Sequence, residues 1–531
     1  MVALAWVALA GAIPASAQVA ITTFHYDNYR TGWNSKETAL TPAKVSSGQF
    51  GLMYTTTLDD QVDAQPLVMP SVMITTGPSK GSVHKVVYVA TENNTVYAIG
   101  QNTGIVLVKR NLGTPVPTPL GCHNNGPNVG INSTPVIDAN TNTLYVIAYT
   151  QDANGPTYRI HALDLGNLTD KVQPVVITAS HTLTDGTTYT FNATYQRQRP
   201  GLLLANGNIY AGFGSFCDFG AQFSRGWLLG WTVDTLTPLA TNQLIDVQAT
   251  SPKTFFLSSI WMSGYAPAAD DAGNVLFVTG NSDPSGTTYD GITNIQESVV
   301  KMSPTLSTVN DVFTPMNQAQ LEATDGDFGS GGVMVLPDQP GSLPHLAVAA
   351  GKFGNLYLLN EDALGGYSTT KDNVLGTYQI GGCWCGESYF VDPTDGLARV
   401  VTSAGRKAKV WKLSTTPSPS LKLTKTSAGL TGGQDPGFFT TVSSNGNKNP
   451  IVWALSRAVE TSPYPIYLYA FNPEATGATM TTLFSGVVGS WPSINGNANL
   501  VPVVANGEVF IATYKQLQIW GIKPPTGTVK K

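Results

Sequence analysis

The chain has 531 residues, of which 42% are hydrophobic and only 12% are charged. It contains 54 Gly and 34 Pro and carries a formal net charge of −5. Soluble domains usually contain roughly a quarter of charged residues, so this composition predicts a protein of β-strands and turns with few helices. A slightly acidic chain offers no basic field to phosphate groups, which excludes nucleic acid as an expected partner.

The N-terminus predicts export. Residues 3–13 are apolar, and Ala15, Ser16 and Ala17 are the small residues that a signal peptidase needs. We therefore expect a signal peptide at 1–17 and a mature protein in the periplasm or outside the cell, with a retained N-terminal anchor as the alternative. No later segment approaches the roughly 20 apolar residues of a membrane span, so none is expected.

A strand–turn–strand pattern recurs along the rest of the chain. At 87–99, alternating β-branched and aromatic residues are interrupted by a polar turn, as in a β-hairpin. Related hairpins lie at 144–163, 209–229, 276–300, 346–358, 400–412, 452–469 and 509–519. A third strand precedes each hairpin, and its Pro- or Gly-containing entry recurs at intervals of roughly 50 to 70 residues.

This rhythm predicts an all-β fold, one eight-bladed β-propeller, with a seven-bladed ring as the alternative. The strand expected at 50–58 precedes the first complete unit. Pairing it with the last blade near Gln516 to Trp520 would close the ring and remove an exposed edge. We therefore expect an N-terminal extension at 18–49, a propeller domain at 50–523 and a short tail at 524–531.

Candidate ligand-binding residues gather on one face of such a ring. The segments that enter each blade and the loops between its second and third strands lie together there, because antiparallel strands alternate in direction. The candidates are Gln65, Asn132, Arg199, Trp261, Asp327, Trp384, Glu387, Asp435, Trp491, Asn497 and Asn499. Convergent polar groups with aromatic walls are typical of small-molecule or glycan sites, and capping of turns is the alternative role of the Asp and Asn residues.

All four cysteines map to this same face. Cysteines of an exported protein are expected to be paired. A bridge between Cys122 and Cys217 would join neighbouring blades, and Cys383 with Cys385 would close a small ring. The two bridges are interpreted as structural staples, with a redox or cofactor-contacting role for Cys383 and Cys385 as the alternative.

The pattern at 87–104 resembles the repeat of pyrroloquinoline-quinone (PQQ) propellers. That repeat is shared by quinoprotein alcohol dehydrogenases and by the propeller subunit of the outer-membrane protein assembly machinery. Other segments resemble secreted bacterial PQQ-binding-like propeller proteins, namely 59–66, 130–135, 199–203, 336–341 and 383–386. The resemblance covers nearly everything after the leader and implies the fold more strongly than the chemistry, because one fold hosts many functions.

The resemblance also makes PQQ and calcium candidate cofactors. Quinoprotein dehydrogenases are known for a disulfide between adjacent cysteines, a Trp floor, a bound calcium ion and an Asp base. By that comparison the candidate cofactor contacts are Arg199, Trp261, Trp384 and Asn499, the candidate calcium ligands are Asp327, Glu387 and Asp435, and the candidate bases are Asp327 and Asp435. The adjacent-cysteine motif is not matched, because Trp384 separates Cys383 from Cys385.

The sequence therefore predicts a binding or scaffold protein that meets a small molecule, a glycan or a protein at the mouth of its propeller. A PQQ- and calcium-dependent dehydrogenase of alcohols or sugars is the first alternative. A propeller lyase or hydrolase acting on polysaccharide is the second.

Overall fold

The computed structural model describes residues 18–124, 126–283, 285, 289–433, 436–493 and 499–524. These residues form eight mainly antiparallel sheets, arranged as the blades of a single β-propeller. The eight-bladed prediction is confirmed. Each blade follows the alternation of β-branched and aromatic side chains that predicted it, because such residues fill a pleated surface packed on both faces.

The first four blades each run through four strands in chain order. Blade one contains Leu67–Met73, Val83–Ala90, Thr95–Gly100 and Val106–Asn111. Blade two contains Val136–Asp138, Thr143–Asp152, Gly155–Asp164 and Val175–Val176. Blade three contains Leu203–Ala205, Asn208–Phe213, Trp227–Thr232 and Gln243–Leu244. Blade four contains Ala268–Ala269, Val275–Val278, Val299–Met302 and Val309–Thr314, with Gly366–Tyr367 added in parallel.

The second four blades follow the same plan until the ring closes. Blade five contains Val333–Val335, Leu346–Ala350, Asn355–Asn360 and Gly376–Gln379. Blade six contains Ser388–Val391, Ala398–Ala404, Lys407–Ser414 and Ser420–Thr426. Blade seven contains Thr440–Asn445, Lys448–Leu455, Pro465–Asn472 and Thr481–Ser490. Blade eight contains Val503–Ala505, Glu508–Ile522 and the N-terminal strand Phe50–Gln61.

Little of the described chain is helical or lies outside the blades. The α-helices are Pro42–Val45 and Gln318–Thr324, and the 3₁₀ turns are Pro119–Gly121, Met262–Gly264 and Phe328–Ser330. Two small ladders pair Val116–Pro117 with Asn128–Val129 and Ser180–Thr182 with Thr188–Thr190. No helix in the described part of the chain is long and apolar enough to cross a membrane.

Ring closure joins the two ends of the propeller sequence. The strand Phe50–Gln61 pairs with Glu508–Ile522, with Leu52 opposite Trp520 and Thr57 opposite Gln516. The N-terminal strand therefore completes the last blade, and it pairs with the segment near Gln516 to Trp520 that the sequence predicted. Antiparallel pairing here removes the edge that blade eight would otherwise expose.

Apolar side chains fill the spaces between neighbouring blades. Trp227 and Trp231 of blade three, for example, share one buried cluster with Tyr145 and Ile147 of blade two. Similar clusters recur around the ring. Each blade has two apolar faces, and packing against the neighbouring blade on each side buries them.

An irregular segment, residues 19–34, contacts every blade and is called here the hub segment. It hydrogen-bonds the first strand of each blade or pairs with it. In blade order the contacts are Ile21 with Val68, Thr22 with Ile137, Asn28 with Leu204, Asn28 with Ala269, Tyr29 with Val335, Thr31 with Tyr389, Gly32 with Val442 and Asn34 with Val504. The hub segment thus links all eight sheets.

Arg30 holds the hub segment in its folded shape. Its guanidinium is fully buried and donates hydrogen bonds to Pro267 O, Thr23 Oγ1, Phe24 O and Asp27 O. The contact with Pro267 ties the segment to the entrance of blade four. A buried cation needs this complete set of acceptors, because an unpaired charge in the interior is costly.

We predict that Arg30→Ala lowers the free energy of unfolding by several kcal/mol, because the substitution leaves buried carbonyl oxygens without donors at about 1–3 kcal/mol each. The midpoint of urea-induced unfolding measures the effect. Lys36→Ala, an exposed change just beyond the same segment, is the control and should alter stability by no more than about 0.5 kcal/mol. Equal midpoints for the two variants would contradict the role of Arg30.

Candidate functional site

A pocket of about 280 Å³ opens among loops of blades two to six, and it is called here the mouth pocket. Its lining residues are Asn124, Arg197, Arg199, Ser215, Cys217, Asp218, Trp261, Asp325, Asp327, Lys352 and Trp384. Each belongs either to a segment that enters a blade or to a loop between second and third strands. The mouth pocket therefore uses the two loop classes that the connectivity places on one face.

Two tryptophans form aromatic walls of the mouth pocket. Trp261 enters blade four and Trp384 enters blade six, and their ring centroids lie 6.2 Å apart at an interplanar angle of 80°. The Lys352 ammonium lies 5.5 Å from the Trp261 ring and 5.4 Å from the Trp384 ring. The walls are thus perpendicular, and a cation holds their faces by cation–π attraction.

Asp327 is engaged on both carboxylate oxygens. Its Oδ1 accepts the Asn281 N–H at 3.0 Å, and its Oδ2 accepts the Lys352 ammonium at 2.6 Å. Lys352 also donates to Asp325 at 3.1 Å. Burial lowers the pKa of Lys352, but the charges of Asp327 and Asp325 outweigh burial and raise this pKa above its ordinary value. Lys352 is therefore charged at neutral pH and neutralised by two carboxylates.

Two arginines lie side by side at the entrance to blade three. The Arg197 guanidinium donates to Asn132 Oδ1 at 3.1 and 2.9 Å. Arg199 is 5% exposed, and its Cζ lies 5.5 Å from the Trp261 ring centroid. The Arg199 Nη2 has no acceptor among the described residues. Burial and the neighbouring Arg197 hold the pKa of Arg199 well below its ordinary value.

Acidic side chains complete the lining of the mouth pocket. Burial and the nearby charge of Asp327 raise the pKa of Asp218 to about 6. Burial and Asp327 also raise the pKa of Asp325. Asp218 accepts a hydrogen bond from Ser215 at 2.6 Å. The pocket therefore combines three carboxyl groups with three cationic groups instead of presenting one sign of charge.

Disulfides border the mouth pocket on two sides. Cys122 and Cys217 join the entry of blade two to a loop of blade three across 95 residues, as predicted. Cys383 and Cys385 are also joined, and Trp384 between them lines the pocket. Cross-linking such loops restricts their motion, since the disulfide removes conformations from the chain.

Arg457 supports Trp384 from behind. Its guanidinium donates to the Trp384 carbonyl at 2.7 Å, to the Gly437 carbonyl at 2.9 Å and to Asn499 Oδ1 at 3.0 Å. The backbone N–H of Trp384 in turn donates to the Pro436 carbonyl oxygen at 2.7 Å. The position of the aromatic wall is therefore set by a buried network and not by the Cys383–Cys385 ring alone.

The structure brings some of the predicted site residues together and separates others. Arg199, Trp261, Asp327 and Trp384 share the mouth pocket. Asn499 is not in its lining and contacts Arg457 instead. Trp491 is fully buried in an apolar cluster of blades seven and eight. Asp435 and Asn497 lie outside the described residues.

Glu387 is buried away from the lining of the mouth pocket. It is fully buried, and neither carboxylate oxygen has a hydrogen-bond partner among the described residues. One of these oxygens lies within 4.8 Å of the sulfurs of Cys383 and Cys385. Burial raises the pKa of Glu387 to about 8. The side chain is therefore a neutral acid at pH 7, beside a disulfide.

Calcium does not fit the described part of this arrangement, which leaves out the candidate ligand Asp435. The ion takes six to eight oxygen ligands, but Asp327 already binds Lys352 and the Asn281 N–H. Asp218, Asp325 and Asp327 do not converge on a common point. Glu387 is near sulfur atoms that are joined in a disulfide.

Sequence reasoning missed Lys352, Asp218 and Arg457. Lys352 and Asp218 lie between the second and third strands of blades five and three, so the connectivity had already selected their loops. A charged residue within such a loop was the available signal. Arg457 carried the same signal, because it lies between the second and third strands of blade seven, but its contact with the Trp384 carbonyl of neighbouring blade six was not predictable from residue spacing.

Comparison with solved structures identifies the fold. The quinohemoprotein alcohol dehydrogenase of Comamonas testosteroni matches with a TM-score of 0.62 at 13% identity, covering 97% of this chain and 83% of that one. This chain shares the PQQ-type propeller fold of quinohemoprotein alcohol dehydrogenases. The quinohemoprotein alcohol dehydrogenase ADHIIG of Pseudomonas putida HK5 matches with a TM-score of 0.57 at 13% identity, covering 96% and 82%.

A third structure, BamB of Moraxella catarrhalis, has a TM-score of 0.48 at 11% identity and covers 89% of this chain and 99% of that one. No protein-family model and no curated protein matches the sequence. At these identities the structural likeness shows only the fold, so a functional proposal has to be based on the residues of the site.

We predict that Glu387→Gln stabilises the protein at pH 8 and does so much less at pH 4.5. Between the ordinary pKa of 4.5 and the folded pKa of about 8, folded Glu387 keeps a proton that the unfolded chain has lost. Wild-type stability therefore falls as the pH rises through this range, by about 1.4 kcal/mol per unit of pKa difference.

Thermal unfolding at the two pH values measures this difference. Glu460→Gln, at an exposed position, serves as the control and should leave the pH dependence unchanged. A melting temperature that changes equally at both pH values in Glu387→Gln would show that the carboxyl is ionised in the folded protein.

Proposed function

We propose that this protein is an exported binding protein that takes a small molecule into the mouth pocket and leaves it chemically unchanged. The observation that carries the proposal is the pocket itself, where two perpendicular tryptophans and several charged side chains converge. Aromatic walls with a few oriented polar groups are the usual form of a small-molecule site.

The size of the mouth pocket favours a small ligand. Its volume of about 280 Å³ is near the lower end of known ligand sites, which span roughly 300–1,000 Å³. A polysaccharide lyase or hydrolase needs a cleft that accepts several sugar rings. The volume therefore supports a single ring or a compound of similar size.

The charged groups of the mouth pocket support binding more than catalysis. A general base must be free to turn toward the proton that it removes from the substrate. Asp327, the candidate base that the structure describes, has Lys352 on one oxygen and the Asn281 N–H on the other. No histidine lies among the described residues that line the pocket.

Export is supported by the apolar segment at 3–13, followed by Ala15, Ser16 and Ala17, and by the two disulfides. Disulfides persist in oxidising compartments and are rare in the cytosol. We therefore propose that the protein works in the periplasm or outside the cell.

A quinoprotein dehydrogenase is the second candidate, favoured by the fold shared with quinohemoprotein alcohol dehydrogenases and by the Trp261 and Trp384 walls. The donor set that does not fit calcium counts against it. We derive no reaction step from PQQ for this chain.

Isothermal titration calorimetry with glucose, glucuronate, benzoate, benzyl alcohol and PQQ tests the proposal. We expect at least one of these ring compounds to bind. Trp261→Ala should weaken that binding roughly tenfold, because it removes an aromatic wall worth about 0.5–1.5 kcal/mol beyond its buried area. Tyr367→Ala, an exposed aromatic on blade four, should leave the affinity unchanged.

A dye-linked oxidation assay with ethanol and glucose, run with PQQ and with or without calcium chloride, separates the two candidates. We expect no dye reduction in either condition. Turnover that requires PQQ would replace the binding proposal with the dehydrogenase, and absence of binding by every compound in the panel would remove the mouth pocket as a site for ligands of this size.

A further inference from the structure

Arg199 is a buried cation that has no counterion in direct contact among the residues that the structure describes. It is 5% exposed and lines the mouth pocket, and its Nη2 has no acceptor among the described residues. By comparison, Arg30 and Arg457 are equally buried but donate to several carbonyl or amide oxygens. A buried charge without a partner lowers the stability of the folded protein by several kcal/mol. A negatively charged ligand that enters the pocket would therefore be stabilised by pairing with the Arg199 guanidinium.

The two acids whose charges act on Arg199 accept hydrogen bonds from other donors. Glu92 accepts the Gly130 N–H at 2.7 Å and the Asn132 amide at 2.5 Å. Asp63 accepts the Gln61 amide at 2.8 Å. Both carboxyls act on Arg199 only through space, and Arg197 and Arg457 oppose them with like charge. The local protein therefore leaves the guanidinium fork free to pair with a ligand.

The surrounding charges favour a ligand with a single negative charge. Lys352 is neutralised by Asp325 and Asp327, and Asp218 is another acid in the same lining. Because three acids balance three cations in the described lining, a carboxylate adds one negative charge beside Arg199, whereas a phosphate dianion adds two. The planar guanidinium fork also matches the two oxygens of a carboxylate.

The aromatic wall beside Arg199 determines the shape of the ligand. The Arg199 Cζ lies 5.5 Å from the Trp261 ring centroid, and Trp384 stands perpendicular to that ring. A ring that bears a carboxylate could stack on one tryptophan while its charge meets the guanidinium. Sugar acids and aromatic acids share this chemistry.

We infer that the mouth pocket binds a ring monocarboxylate, with the carboxylate paired to Arg199, the ring against Trp261, and no metal ion between them. This inference rests on the proposed binding function and gives the chemical class of its ligand.

Matched pairs of probes test the inference. Benzoate is compared with benzyl alcohol, and glucuronate with glucose, by isothermal titration calorimetry in EDTA and in calcium chloride. We expect one carboxylate to bind at least tenfold more tightly than its neutral partner, because a charge-assisted hydrogen bond is worth about 1.5–3 kcal/mol. The affinity should be the same in both media, and the pair that responds distinguishes an aromatic acid from a sugar acid.

Arg199→Met gives a second, independent readout. We expect it to lose the preference for the carboxylate, roughly a 10- to 100-fold drop in affinity, and to raise the melting temperature of the ligand-free protein by removing an uncompensated buried charge. Arg159→Met, which breaks an ion pair with Asp152 in blade two, is the control and should keep wild-type affinity. Arg199→Lys retains the charge and should keep the preference for carboxylates with weaker affinity.

Three results would overturn the inference. They are equal affinity for a carboxylate and its neutral partner, affinity that requires calcium, and a lower melting temperature of Arg199→Met with carboxylate binding retained. Tight binding of glucose or benzyl alcohol alone would leave the proposed binding function in place while rejecting the carboxylate. Failure of every probe to bind would reject both.

Discussion

The hub segment is the constraint on which the rest of the structure depends. Residues 19–34 contact the first strand of each of the eight blades, so a short irregular stretch sets the spacing of all the sheets around one centre. Apolar packing between blades is not directional, whereas hydrogen bonds specify which strand lies where. Arg30, fully buried, ties this segment to the entrance of blade four through Pro267.

The positions of the first strands determine where the loops that line the mouth pocket begin. Arg199, Trp261, Asp327 and Trp384 each lie a few residues before a first strand, so they converge because those strands do. Two disulfides and the Arg457 network then restrain the loops. Within the resulting pocket, the Arg199 Nη2 has no acceptor among the described residues, and the proposed pairing with a carboxylate rests on this atom.

Much of the fold could be predicted from the sequence, because blades are local. The hairpin at 87–99 shows its alternation and turn within thirteen residues, and the closing strand at 50–58 stands out as one strand more than whole units require. The hub segment could not be predicted in this way. Residues 24–34 have no apolar period, because several of them contact first strands of different blades that are more than 150 residues away, and no local pattern records such contacts.

For the site, the sequence by itself determined the blade number, the closing strand and the two loop classes that supply the mouth pocket, because these follow from periodicity and strand direction. Only the tertiary structure decided which polar residues meet. Asp327 pairs with Lys352, Asn499 supports Arg457, and Glu387 is buried beside the Cys383–Cys385 disulfide. The physical reason is that a side chain's partner depends on distances of a few ångströms across the closed ring, which residue spacing along the chain does not encode.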